Sequence, residues 1–468
     1  MQKGGTVMDA SCASRTRLKT LWRLSWPAII EQVLVTMVSY ADTAMVGVLG
    51  AAGTAAVSVN AAPIWLGNGL MTGVGIGYSV QVSNAIGAGD EARARQVIRQ
   101  GVLAALVVGL VGLAIYQLLA GVLPRWLGAD AEVLPQATAY LRCYTMAMPF
   151  TACGYVFSAI LRCMGNTRAP LYFNTGANLI NVVLNFFLIY PTRTAPLLGH
   201  NLTLPGAGLG AAGAAVASAS ALVLSGVALL WVGMHQGERF RVHLRECFRP
   251  DRSIILQAVR LGVPSAVERA TINLGQIAMT AVVASLGTVS LAANQIATTA
   301  EGLCYLPAYG ISYAGIALVG QAVGAERRED AAAYGTLAGR LGFGISIGTA
   351  SALFLLAPVL AGLFNSDPQV VAQAALMLRI VAFCEPFFAL SIIFSGTLRG
   401  AHDVRIPMVV GLVCMWGVRV ILALTLVYKL RVGLAGVWLA MDADLILRGI
   451  LCTLRWRSGR WARKCGLA

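Results

Sequence analysis

The chain is written twice, and that duplication leaves it few folds to choose from. Pro27 and Glu31 return 237 residues later as Pro264 and Glu268 (27 to 264). At the same offset Leu49-Gly50 returns as Leu286-Gly287, Gly87-Ala88 as Gly324-Ala325, and Pro149-Phe150 as Pro386-Phe387. Leu161-Arg162, Arg168 and Pro170 return as Leu398-Arg399, Arg405 and Pro407. Two copies of one apolar unit predict two related half-molecules with a cleft between them, as in many secondary transporters.

That each unit is apolar decides the solvent. Of the residues, 57% are hydrophobic and 12% charged, whereas a soluble domain carries roughly a quarter charged residues. The apolar runs exceed the ~20 residues that a membrane-crossing helix needs and leave no room for a soluble catalytic domain. Fifty-one glycines suit closely packed membrane helices. The net charge of +15 does not point to nucleic acid, because the arginines lie in short loops between spans and not on one face. The ten cysteines form no C-x-x-C pair and read as packing residues. The four histidines all fall in expected loops, so neither a metal nor a cofactor is expected.

Twelve helices are predicted, at about 22–46, 56–82, 98–120, 138–160, 170–191, 207–233, 258–285, 293–319, 338–361, 372–396, 407–429 and 434–454. The expected organisation is a polar tail over 1–20 and an N-lobe of six spans over 21–234. A basic linker follows over 235–256, then a C-lobe of six spans over 257–455 and a tail over 456–468. Alternate loops are rich in arginine: Arg93, Arg95 and Arg99; Arg162 and Arg168; Arg239, Arg241, Arg245, Arg249 and Arg252; Arg327 and Arg328; Arg399 and Arg405. By the positive-inside bias these loops and both termini face the cytoplasm. Six spans per half is an even number, so the halves share one orientation about an axis along the membrane normal. Residues 191–206, with three prolines, make the loop after the fifth span longer than its counterpart, Lys429 to Gly433, and read as an outer cap or strand pair.

Ionisable groups inside a membrane are functional candidates, and the repeat sorts them. Glu31 and Glu268 are duplicated, each four residues after a proline expected to start its helix. A salt bridge to a nearby arginine is the plain reading, and a share in an ion pathway is the sharper one. Asp42 has Met279 as its counterpart, so one half alone carries it. It follows Glu31 by eleven residues, about three turns, and shares its helix face. A carboxyl group kept from bulk water can take up and release a proton. Asn174, Asn178, Asn181 and Asn185 follow one another at steps of four, three and four, an amide ladder on one face of the fifth span. Interhelical hydrogen bonding is one account of it; neutral partners for a switching carboxylate is another.

In the second half Glu301 and Glu385 are unduplicated, matching Ile64 and Met148. Glu301, Tyr305 and Tyr309, at steps of four on one helix, would set a carboxylate beside two rings, which suits a lipophilic cation as well as it suits a packed core. Glu385 precedes Pro386, where a broken helix would expose carbonyl groups. Arg419, Asp442, Asp444 and Arg448 read as structural ion pairs.

These residues resemble the multidrug and toxic compound extrusion (MATE) family over nearly the whole chain. The likeness is carried by Pro27 to Gly50 with Asp-Thr-Ala-Met-Val-Gly, and by Pro264 to Gln295 with Glu-Arg-Ala-Thr-Ile-Asn-Leu-Gly-Gln. Leu318-Val-Gly-Gln-Ala-Val-Gly-Ala and the paired Leu-Arg loops ending at Pro170 and Pro407 complete it. The resemblance implies an all-α integral membrane protein, twelve helices in two six-helix lobes, in the plasma (inner) membrane. It implies export of cationic or amphipathic drugs in exchange for H+ or Na+, by a monomer among membrane lipids. In the DinF-like branch a first-helix aspartate works with polar residues of the fifth, which match Asp42, Asn181 and Asn185. Asn185 stands where some relatives have a second aspartate. Other branches use acids of the seventh and tenth helices, near Glu268 and Glu385. Tyr40 and Asn178, with Tyr305 and Tyr309, are the expected substrate contacts. The rival within the superfamily is a lipid-linked oligosaccharide flippase, whose cleft needs arginines for pyrophosphate. An intramembrane enzyme lacks its catalytic constellation here, and a channel lacks a repeated pore loop.

Overall fold

The computed structural model describes residues 4–197, 200–237, 240–243 and 246–466. The expected loop arginines Arg239 and Arg245 lie outside them. The first half comprises α1 (Gly4–Gly47), α2 (Gly50–Gly87), α3 (Glu91–Leu119), a single turn α4 (Leu123–Trp126), α5 (Leu134–Thr145), α6 (Met148–Cys163), α7 (Arg168–Leu188) and α8 (Gly210–Met234). The second comprises α9 (Arg252–Ala284), α10 (Thr288–Glu301), α11 (Leu306–Gly324), α12 (Arg328–Phe364), α13 (Pro368–Ala382) and α14 (Glu385–Gly400). It ends with α15 (Arg405–Lys429) and α16 (Leu434–Arg457). Between α7 and α8 the insertion forms an antiparallel pair, β1 (Pro191–Leu197) with β2 (His200–Ala207).

Each expected span lies over a helix or a helix pair. Seven unbroken helices are long and apolar enough to cross a membrane, and two bent pairs bring the number to nine. Helices α2, α9 and α16 are long enough yet fall short of that standard. They spend their residues on the interior, where α2 buries Asn60, Gln81 and Ser83 and α16 buries Asp442, Asp444 and Arg448. A helix enclosed by other helices need not be apolar on every side. The outside is apolar instead: Leu118 is 81% exposed, Leu355 73% and Leu363 74%. Exposed leucine over so much of a helical surface belongs in lipid.

The helix boundaries differ from the sequence expectations in several places. The tail over 1–20 continues α1 as helix from Gly4, and Pro27 lies inside α1 just as Pro264 lies inside α9. Neither proline starts a helix, since neighbouring helices re-satisfy the backbone that proline frees. The spans at 138–160, 293–319 and 372–396 are each two helices. The first bends by 51° before Pro149 and the last by 55° before Pro386, the break expected beside Glu385, because proline clashes with the preceding turn. The middle one breaks over Gly302–Tyr305, ahead of Pro307. The carboxy-terminal tail also packs inward: Trp461 is buried and stacks on Trp456 at 4.7 Å.

The apolar core is divided between the lobes. One cluster gathers Tyr78, Val97, Phe157, Ile160 and Leu229; another gathers Leu353, Leu378, Val381 and Trp438. The lobes meet where α1 lies against α11 and α2 against α9, two contacts that the repeat makes equivalent.

Candidate functional site

Helices α1 and α7 lie side by side, and their polar residues meet in register. Asn174 donates to Glu31 at 2.7 Å, and eleven residues further along both helices Asn185 donates to Asp42. Asn185 Nδ2 also reaches Asn181 Oδ1 at 3.3 Å, and Asn181 donates to Ser218 of α8 at 3.2 Å. Asn181 and Asn185 are buried and Asp42 is half-buried. The Oδ1 atom of Asn185 is buried with no partner. Among the described residues no arginine, lysine or histidine lies within ion-pair distance of Asp42. Asn178 is half-buried and makes no hydrogen bond among the described residues.

Glu31 has a different neighbourhood. Arg162, the penultimate residue of α6, donates to its carboxylate at 2.7 Å. At the repeat offset Arg399 of α14 donates to Glu268, also at 2.7 Å. All four side chains are at least nine-tenths buried. A buried pair of this kind holds only while both members are present. Its duplication marks it as part of the fold shared by both lobes.

The second lobe gathers acids. Glu385 is fully buried and both of its carboxylate oxygens lack partners. It interacts electrostatically with Glu301 and Asp442, and Glu301 in turn with Arg419 and Asp442. Asp442 was expected in an ion pair, but its Oδ1 is unpartnered and it belongs with the two glutamates. The ion pairs go to Asp444, which takes Arg419 at 2.8 Å and Arg448 at 2.7 Å. Arg419 stands on a stretch of α15 with widened, π-type turns, Val413–Val420, a distortion frequent at functional sites. Four buried acids face two arginines here. Apolar surroundings require protons or a bound cation to make up the difference.

The tyrosines are arranged otherwise than their spacing suggests. Because the helix breaks after Glu301, Tyr305 and Tyr309 are not on a continuous face with it. Tyr305 packs edge-on against Phe388 at 5.1 Å and against Tyr309 at 5.9 Å. The ring of Tyr309 already faces a cation, the guanidinium of Arg269 at 5.5 Å. Arg269 was not singled out in the sequence, although it follows Glu268 directly inside an apolar run and has Gln32 as its counterpart. It stands at the lobe interface, its Cβ close to Gly69 of α2, and pairs with no carboxylate among the described residues. Tyr40 spans the lobes, donating to the carbonyl of Thr299 at 2.8 Å beside the break.

At the arginine-rich end the lobes are sealed by a two-fold motif. A Cβ on Gly87 would overlap the Gln321 carbonyl, and one on Gly324 would overlap the Asn84 carbonyl. These residues are paired by the repeat, Gly87 with Gly324 and Asn84 with Gln321. Ser83 donates to the Ala317 carbonyl at 2.8 Å, and Gln321 donates to the Cys163 carbonyl at 2.8 Å. Asn84 contacts His402 instead of a carbonyl.

The duplicated helical lobes, the meeting of α1 with α7 and the buried acids of the second lobe together define a two-lobed membrane transporter. A family model described as MatE matches residues 27–187 and again 264–425, beginning each time at the equivalent proline. The chain belongs to the MatE family, whose members are transporters and not enzymes. A probable multidrug resistance protein NorM of Thermotoga maritima is 27% identical over 96% of this chain and 94% of its own length. The multidrug resistance protein MdtK of Pectobacterium atrosepticum is 29% identical over 94% and 95%. The outward-facing structure of a multidrug resistance MATE transporter of the MOP superfamily matches with a TM-score of 0.86, at 23% identity over 96% of each chain.

Proposed function

We propose that this chain exports cationic or amphipathic drugs in exchange for H+, with Na+ the alternative ion, by rocking its lobes about the central cleft. The observation that carries the reading is Asp42, a half-buried carboxylate met by a neutral amide and by no cation among the described residues. Asn185 offers its Nδ2–H to the charged carboxylate, and its unpartnered Oδ1 is an acceptor for the protonated one. Asn181 and Ser218 hold that amide in place. Neutralising Asp42 from outside would repack α1 against α7 and release the drug; loss of the proton inside would reset the site. Glu301, Glu385 and Asp442 form the second candidate ion site. Glu268, like Glu31, is given to the fold by its arginine. Both termini and the sealed end are placed in the cytoplasm, in an inner-membrane monomer.

A pyrophosphate-handling flippase needs free interior arginines. Arg162, Arg399, Arg419 and Arg448 each hold a carboxylate and Arg269 stands alone against the ring of Tyr309, so these interior arginines make no free cluster, which counts against that rival. The test is reconstitution of the chain and of Asp42→Asn in vesicles, with a dye cation as substrate. Proton and sodium gradients are collapsed separately. Export that survives loss of both gradients, or that Asp42→Asn sustains at the original rate, refutes the coupling scheme.

A further inference from the structure

A cavity of about 830 Å³ lies away from the cleft, at the arginine-rich end. Its walls are Gln96, Arg99 and Gln100 of α3, then Arg249 and Arg252 at the entry to α9, with Glu246 and Asp251 beside them. Gln100 is buried and clamps the wall, donating to the Arg249 carbonyl at 2.6 Å and accepting from the Asp251 N–H at 3.2 Å. Both acids are committed. Glu246 pairs with Arg99 at 3.0 Å. Asp251 caps α9 through Ser253 and Ile254, and Arg93 lies 3.8 Å from it. Arg249 and Arg252 are left, among the described residues, without a carboxylate.

Depth says what they face. Leu256, Val259 and Val263 of α9 are all about half exposed and begin four residues beyond Arg252, and Phe248 is 58% exposed beside Arg249. The cavity therefore sits where the apolar surface starts, at headgroup level. The repeat supplies an internal comparison. An equivalent groove of about 350 Å³ lies between α12 and α1. There Ala333, Thr336 and Leu337 replace Gln96, Arg99 and Gln100, and Arg17 is consumed by Asp330 at 2.6 Å. One groove of the two is elaborated.

We propose that the larger cavity binds the phosphodiester headgroup of an anionic membrane lipid, held by Arg249 and Arg252, with acyl chains along Leu256, Val259 and Val263. The guanidinium fork matches phosphate oxygens, and basic pockets beside membrane helices take such headgroups. Because the walls come from both halves, a bound lipid braces the lobes in the sealed arrangement. The proposal is independent of which ion drives transport.

The test is native mass spectrometry of the full chain in detergent, with phosphatidylglycerol and phosphatidylcholine as probes. Two arginines predict retention of phosphatidylglycerol roughly thirtyfold tighter than phosphatidylcholine. The double variant Arg249→Gln/Arg252→Gln should bring that ratio near one. The lysine pair Arg249→Lys/Arg252→Lys should keep most of it, and Arg17→Gln/Arg340→Gln in the small groove should leave it unchanged. Equal retention of the two lipids by the unaltered chain overturns the proposal. So does a preference that survives the glutamine pair, or displacement by millimolar inorganic phosphate without lipid discrimination.

Discussion

The pair α1–α7 and its counterpart α9–α15 have the same ancestry in the repeat and opposite interiors. In the first pair Asp42 meets an amide ladder. In the second, Met279 replaces Asp42, and Gly411, Met415, Val418 and Leu422 stand where Asn174, Asn178, Asn181 and Asn185 would be. Met415 packs fully buried against Gly275. What the pairs share is the glutamate nearer the arginine-rich end, with its arginine. A switchable carboxylate needs partners for both of its forms, and only the first pair provides them. The second lobe keeps its acids elsewhere, on α10, α14 and α16.

The sharpest way to break this comparison is Asp42→Asn. It should reduce gradient-driven export to that of empty vesicles while the protein remains folded, because asparagine keeps the shape and loses the proton. Flux assays alongside thermal unfolding in detergent check both halves of the expectation. The reverse graft, Met279→Asp with Leu422→Asn in the Asp42→Asn background, should not restore coupling, since Gly411 and Val418 supply no remaining ladder.

The next effect should be alike in both lobes. Glu31→Gln and Glu268→Gln each strand a buried arginine, at a cost of about 3–5 kcal/mol in stability. Glu31 also loses its charged acceptor for Asn174, adding about 1 kcal/mol. Thermal melts of the two variants should be lowered together, Glu31→Gln slightly more. A large drop in one lobe alone would refute the claim that the pair belongs to the shared fold.

At the seal, Gly87→Ala and Gly324→Ala should behave as twins. Each inserts a methyl group against a carbonyl oxygen, an overpacking of about 1–3 kcal/mol. The sealed state should loosen, and Cys163, 2% exposed beside the seal, should react faster with a maleimide, read by peptide mass mapping. Unchanged labelling would separate these glycines from closure.

How far these features were legible in the sequence follows the same division. The repeat exposed the lobes, the shared axis and the duplicated glutamates, because an offset is visible without coordinates. The amide ladder was legible because helical spacing places its residues on one face, and its partnership with Asp42 on another helix came from the family resemblance. Of the breaks, the one at Pro386 was legible beside Glu385, whereas those ahead of Pro149 and Pro307 were not: proline marks a weak point, and tertiary packing decides whether it bends, as Pro27 and Pro264 show by lying in unbroken helices. Asp442 was misassigned because spacing relates residues of one helix only, and its neighbours Glu301 and Glu385 come from two others. Arg269 was passed over although it was unduplicated and intramembrane, the signal that picked out Asp42. Writing the first-half residue into it, Arg269→Gln, should shift export modestly toward cationic substrates over zwitterionic ones, measured as a ratio of the two fluxes. An unchanged ratio would take Arg269 out of the substrate path.

The smallest expected effect concerns the one place where the seal departs from two-fold symmetry. Gln321 donates to a backbone carbonyl, which does not titrate in this range, whereas Asn84 meets the ring of His402. Burial lowers the pKa of His402 from its ordinary value of 6.5, since it disfavours the charged imidazolium. Asn84 can donate through Nδ2 only to an unprotonated Nε2, so the contact belongs to the neutral ring. A base with its folded value lowered contributes stability that is present above pH 6.5 and lost as pH falls from there through the folded value. The half of the seal made by Asn84 should therefore weaken with acid while the half made by Gln321 does not. Maleimide labelling of Cys163 should rise modestly below pH 6.5, after correction for thiolate fraction against a reference cysteine peptide. His402→Gln should flatten that rise, because glutamine can accept from Asn84 at every pH. A rise of the same size in His402→Gln would place the acid sensitivity elsewhere and leave the seal symmetric in its chemistry.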